Sequence, residues 1–148
     1  MRSVTNHILE CSSQGDRRFS ALYAQVSVFT NTQSIETHYQ LAKRFGPSAP
    51  RTPRDAKGRK PTHFQVRDTS FPLTLGPAWY ELLWVKYLDQ HPDLVAYAMT
   101  FTDFHDAFHT PRQVVCQADS IRHYIRDGRA AVLARPDIQT LLSLFASR

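Results

Sequence analysis

Between Ser34 and Phe45 two patterns overlap that leave little choice of local structure. Ile35, Tyr39 and Ala42 fall at i, i+4 and i+7, the spacing of one buried helical stripe. Ser34 stands just ahead of them, where its hydroxyl can accept from a free amide of the first turn. Glu36, Gln40 and Lys43 repeat the spacing one residue later, so a carboxylate, an amide and an ammonium border the buried stripe. A carboxylate at such an edge is either solvated or held there for chemistry, and solvation is the commoner case.

The rest of the chain supplies elements for this helix to pack against. Asn6–Cys11 has the length of a short strand, Ser12–Asp16 the composition of a turn, and Arg17–Phe29 the alternation of a second strand. These two strands are expected to pair as an N-terminal β-hairpin, with Thr30–Gln33 linking it to the helix. Gly46–Pro61 holds Pro47, Pro50, Pro53 and Pro61, so it is expected to lack regular structure. His63–Arg67 suits a short strand, and Phe71-Pro72-Leu73 an extended segment.

From Pro77 onward the periodicity is helical, with Trp79, Leu83 and Tyr87 as one stripe. A second helix is expected after His91-Pro92, a third over Val114–Arg126 ending before Gly128, and a fourth over Pro136–Phe145. Phe101–Arg112 reads as a His- and aromatic-rich connection. The expected architecture is α+β: an N-terminal hairpin on a mostly helical single domain spanning residues 1–148, with a basic Pro-rich loop at 46–61. A chain of 148 residues with 42% hydrophobic and 11% aromatic residues suits one soluble core.

Charge is distributed unevenly. Seven basic residues between positions 43 and 60 (Lys43, Arg44, Arg51, Arg54, Lys57, Arg59 and Lys60) face Asp55 alone, a net of +6, while the remaining 11 basic and 12 acidic residues give −1. Such a segment suits phosphate groups, on a nucleic acid or a nucleotide-like ligand; a solvated loop is the plain alternative. No apolar run is long enough for a membrane span, and Met1–His7 lacks the apolar centre of a secretion signal. The cytoplasm is therefore the expected compartment, where Cys11 and Cys116 are expected to be reduced structural thiols.

Two polar clusters stand apart from the first helix. Asp103-Phe104-His105-Asp106-Ala107-Phe108-His109 places two histidines four apart, but no third ligand follows by spacing, so no metal or other cofactor is assigned. Asp103 or Asp106 better suits a second acidic group, dividing acid and base roles with the first carboxylate; a helix cap is the plain alternative. Gln117, Asp119 and Arg122 can read a polar ligand edge, or form the wet side of an amphipathic helix. Cys116 lacks an identifiable partner base and is not assigned as a nucleophile.

Phe19-Ser20-x-x-Tyr23, followed by Ser34-x-Glu36-x-x-Tyr39-Gln40-x-x-Lys43, resembles the opening of the NADAR (YbiA-like) superfamily. Leu83–Leu94 is similar to that superfamily's later helical segment. Cys116–Arg122 stands about where the superfamily carries an Asp-x-x-Trp-Gly segment, which suggests a divergent member of phage or mobile-element kind. The resemblance implies N-glycosidase chemistry on ribosyl-phosphate compounds, such as riboflavin-pathway intermediates or ADP-ribosylated bases.

Breaking an N-glycosidic bond builds positive charge on the sugar, which a nearby carboxylate stabilises. Glu36 is the first choice, with Asp103 and Asp106 as further catalytic candidates. Lys43, Arg17 and Arg18 suit phosphate oxygens. Tyr23, Tyr39 and Trp79 suit ring stacking, or simply a core. Phe19, Ser20, Gln40, Gln117 and Asp119 complete the expected substrate-binding set. The expected partner is a nucleotide-like or ADP-ribosylated substrate. The rivals are a nucleic-acid-binding module using the basic segment, and a pseudoenzyme that binds an ADP-ribose-like ligand without turnover.

Overall fold

The structure is a computed structural model that describes residues 7–110 and 113–147. The fold is α+β, with three small sheets set around a buried helix. That helix, α3 (Gly76–Asp89), carries the expected Trp79–Leu83–Tyr87 stripe, and its opposite face is buried too: Tyr80, Glu81, Trp84 and Leu88 have almost no solvent exposure. A helix apolar on all sides must be surrounded. It touches α1 (Ile35–Leu41), strand β2 (Gln25–Val28), α4 (Pro92–Ala98), α5 (Gln117–Arg122) and α7 (Pro136–Ala146).

The N-terminal hairpin is present, but its strands are not those expected. β2 pairs antiparallel with β3 (Asn31–Ser34), from Gln25↔Ser34 to Val28↔Asn31. The expected linker Thr30–Gln33 is thus mostly strand, and the turn falls at Phe29-Thr30, with Phe29 in the left-handed region at φ 56°. No Asn-Gly or Gly-rich signature marks that turn.

Arg17–Phe29 is not one strand because Asp16 interrupts it. Its carboxylate accepts from the Arg18 amide and caps a short 3-10 turn at Arg17–Phe19, and the Ser20 carbonyl then accepts from the Tyr23 and Ala24 amides. The alternation through Leu22 and Tyr23 buries nothing, and both are exposed.

The first strand, β1 (Ile8–Glu10), instead pairs parallel with β7 (Asp103–His105), which lies within the expected connection Phe101–Arg112. Parallel pairing joins distant stretches, so no local turn announces it. The outer residues of those expectations, Asn6, Pro111 and Arg112, lie outside the described residues, as does most of Met1–His7.

The third sheet runs β4 (Lys43–Arg44), β5 (His63–Val66), β6 (Thr69–Phe71), all antiparallel. The basic segment closes over it and is more ordered than its prolines suggest. Phe45 and Ser48 exchange backbone hydrogen bonds around Gly46 at φ +62°. Pro53–Ala56 forms one helical turn, α2, with Thr52 and Asp55 as a capping box. Ala56 is fully buried, and α2 packs on α1. The expected extended segment at Phe71-Pro72-Leu73 ends β6 and enters a 3-10 turn at Leu73–Leu75.

The expected helix over Val114–Arg126 begins at Gln117 and ends as a π-helical turn, His123–Asp127. Gly128 stops it at φ +96°, before α6 (Arg129–Leu133), a conformation that strains any residue with a Cβ. Among the described residues no helix is long and apolar enough to cross a membrane.

Candidate functional site

The entry into α1 is fixed from three directions. Ser34 Oγ accepts from the Thr37 amide at 3.0 Å. The Ile35 and Glu36 amides donate to the Ala24 and Ala21 carbonyls, each at 3.0 Å. The free N–H groups of the first turn are therefore satisfied by the segment 21–24, and the Glu36 backbone is locked to it.

The Glu36 carboxylate is 17% exposed, and its Oε2 lies 3.5 Å from both Lys57 Nζ and Gln40 Nε2. Lys43, half-buried, sits 5.4 Å from the Tyr39 ring centroid. Burial lowers the pKa of Lys43, and neighbouring Lys57 adds to this, while Glu36 pulls it back up. Burial and the negative charge of Glu36 push the Tyr39 phenol up to about 12. Glu36 and Gln40 lie together as their helical spacing predicts, but α1 ends at Leu41 rather than continuing to Phe45, so Lys43 joins them from strand β4, where it pairs with Phe64, and Lys57 reaches Glu36 from the basic segment.

Gln40, beside this carboxylate, and Ser20, next to Ala21 in the chain, each leave a polar atom without a partner. Gln40 Oε1 and Ser20 Oγ are buried without a hydrogen bond among the described residues. A buried unpaired polar atom costs on the order of 1–3 kcal/mol, so it points to strain or to a missing ligand.

Asp106 joins this neighbourhood through Gln117. Gln117 Nε2 donates to Asp106 Oδ2 at 3.0 Å, and Gln117 Oε1 accepts from the Ala21 amide at 2.6 Å. Ala21 also holds the Glu36 amide, so a continuous chain of bonds connects the two acidic segments. Tyr80 is buried in α3, and burial pushes its phenol well above its ordinary value, with the Glu36 and Asp106 charges adding to this.

Asp103 and Asp119 stand outside this chain of bonds. Both pair with Arg122 at the surface, at 3.0 Å and 2.5 Å. The Phe104 amide, then Arg122, hold Asp103 below the ordinary carboxylate value. His105 lies on β7 and bonds Glu10 at 2.6 Å, while His109 follows a turn, so the two imidazoles do not share a helix face.

The other expected residues divide between core and surface. Phe19 is fully buried; Trp79 is buried against Phe71 and Phe145, and Tyr39 against Phe64 and Tyr80. Arg17 lies over exposed Tyr23 at 4.7 Å. Arg18 is held by both oxygens of Asp16 at 2.9 and 2.7 Å and lies over Tyr97, so its guanidinium is already engaged. Cys11 and Cys116 are buried free thiols, and burial raises both pKa values.

The spacing gave no sign of a second polar cluster. Glu81, buried in α3, accepts from Ser120 Oγ and pairs with His123 Nδ1, both at 2.8 Å, and lies 3.5 Å from Arg135. It ties α3 to the π-helical turn and to the start of α7. Its signal was the apolar character of α3 around most of its circumference, which buries Glu81 with its neighbours and leaves only Lys86 and Asp89 exposed.

No curated protein matches the chain. The family described as DarT1-associated NADAR antitoxin matches residues 1–146. That match spans both the Glu36 helix and the Gln117 tie, and the chain belongs to the DarT1-associated NADAR antitoxin family.

Proposed function

We propose that this protein is an N-glycosidase that removes ADP-ribose from a modified base, undoing the work of a paired ADP-ribosyltransferase of the DarT1 kind. The observation that carries the reading is the half-sheltered Glu36 carboxylate, set beside Gln40 with its unpartnered Oε1 and two lysines. Gln40 Oε1 and Ser20 Oγ are suited to sugar hydroxyls, and the lysines to phosphate oxygens.

In this reading the C1′–N bond breaks with its electron pair leaving on the base nitrogen. Glu36 stabilises the positive charge that grows on the ribose. It takes a proton from the attacking water as the C1′–O bond forms, and that proton passes to the departing nitrogen. Asp106, fixed by Gln117, is the second acidic group within reach of this neighbourhood. The exposed cations of the basic segment hold the phosphates of the nucleic acid that carries the base. The reaction belongs in the cytoplasm, a compartment that suits two free thiols.

The test is Glu36→Gln with an ADP-ribosylated oligonucleotide, following release of free ADP-ribose and recovery of the unmodified oligonucleotide by chromatography. Loss of a general base and charge stabiliser is expected to slow release by about 10²–10⁴-fold, with the melting temperature kept. Full activity in Glu36→Gln overturns the assignment.

A further inference from the structure

The basic segment holds a pocket that the glycosidase reading leaves unused. It has a volume of about 280 Å³ and is walled by Phe45, Pro50, Arg51, Asp55 and Arg59. That is near the lower end for small-molecule sites, enough for one planar base and its phosphate but not for a whole dinucleotide. The walls are preformed: the Phe45–Ser48 turn closes one side, and the capped α2 closes the other.

Its chemistry is that of a nucleotide site. The Arg59 guanidinium lies over the Phe45 ring at 3.9 Å and donates to the Asp55 backbone carbonyl at 2.9 Å, and the residue as a whole is exposed. Arginine planes and aromatic rings are the usual platforms for a base. The Asp55 carboxylate is turned to the backbone, its Oδ2 accepting from the Arg51 and Thr52 amides, and the two arginines outnumber its single charge. Among the described residues neither Arg51 nor Arg59 lies within 4.0 Å of a carboxylate.

Its position ties it to Glu36. Lys57, the cation on the Glu36 carboxylate, is two residues from both Asp55 and Arg59. At about 3.3–3.6 Å per residue its Cα is within roughly 7 Å of each of theirs. The other cations near the start of the chain lead nowhere comparable, since Arg18 is held by Asp16 and Arg17 lies over Tyr23. We propose that this pocket binds the adenosine diphosphate end of the ADP-ribosyl group, the base stacking on the Phe45–Arg59 pair and the phosphates meeting Arg51 and Lys57. This rests on the glycosidase reading for its substrate, but not for its measurement.

The experiment is fluorescence anisotropy of etheno-ADP on the full chain. Wild type is expected to bind it, and unlabelled ADP to displace it. Arg59→Ala and Arg51→Ala, both at exposed loop positions, are expected to weaken binding at least tenfold without a change in melting temperature. Phe45→Leu serves as a third variant that keeps an apolar wall. Three results would each overturn the assignment: Arg59→Ala and Arg51→Ala binding like wild type, inorganic pyrophosphate displacing the probe as well as ADP, or an unmodified oligonucleotide displacing it at lower nucleotide concentration than ADP. If ADP binds through Arg59 but no ADP-ribose is ever released from the oligonucleotide, the glycosidase reading fails and the pocket stands.

Discussion

His38 shows how one buried side chain sets a pH limit for this fold. Its ring is buried, and Nε2 lies 2.9 Å from the Val26 carbonyl, which can only accept, so the ring nitrogen donates. Burial lowers its pKa below the ordinary 6.5, against the smaller upward pull of that bond. The unfolded chain therefore binds a proton that the folded chain resists, and stability falls as pH drops from about 6.5 toward the lower folded value. Calorimetric melting between pH 7.5 and 5.5 is expected to show this slope, and His38→Gln to flatten it. An unchanged slope would mean that other groups set it; Asp16, held low by Arg18, acts only at more acidic pH.

Gln117 is the other residue that repays attention at this scale. It was expected to meet a ligand, yet both ends of its amide are engaged, with Asp106 and Ala21. Gln117→Leu keeps the volume and breaks both bonds. ADP-ribose release is expected to fall about tenfold in kcat with KM little changed, since the residue positions the two acidic segments rather than holding substrate. A loss confined to KM would place it on the substrate instead.

Among the elements, α1 is the one whose local sequence most fully dictates its structure. Its cap, its buried Ile35 and Tyr39, and the approach of Glu36 to Gln40 follow from residues 34–41, while Lys43 lies past its end on β4. Ser34→Ala removes the acceptor for the Thr37 amide and is expected to cost about 1 kcal/mol by urea unfolding, visible as a lower midpoint at unchanged slope. A cost near zero would show that the 21–24 segment holds the helix start unaided.

The hairpin teaches the converse. Arg17–Phe29 alternates as a strand should, yet an Asp16 cap and the Ser20 carbonyl turn its first half, and only Gln25–Val28 extends. Local side-chain bonds to backbone compete with strand formation at such positions.

At the scale of the whole molecule, the charge asymmetry becomes a surface. Arg54 and Lys60 are exposed, lie outside the Phe45–Arg59 pocket, and have no carboxylate within 4.0 Å among the described residues. If they meet two phosphates of a single strand, Arg54→Ala/Lys60→Ala is expected to reduce the slope of log affinity against log salt by about 1.4. Oligonucleotide titrations at 50–200 mM salt read this directly. An unchanged slope would remove these two side chains from the strand-binding surface.

Periodicity and capping sufficed for α1, α3, α4 and α7, for the α+β class, and for the grouping of Glu36 and Gln40, because those patterns are written within a few neighbouring residues. The pairing of Ile8–Glu10 with Asp103–His105, the tie from Asp106 through Gln117 to Ala21, the reach of Lys57 to Glu36 and the burial of Glu81 were decided only in three dimensions. Each joins residues far apart in the chain, and no local spacing records which distant groups the packing of a surrounded helix will bring face to face.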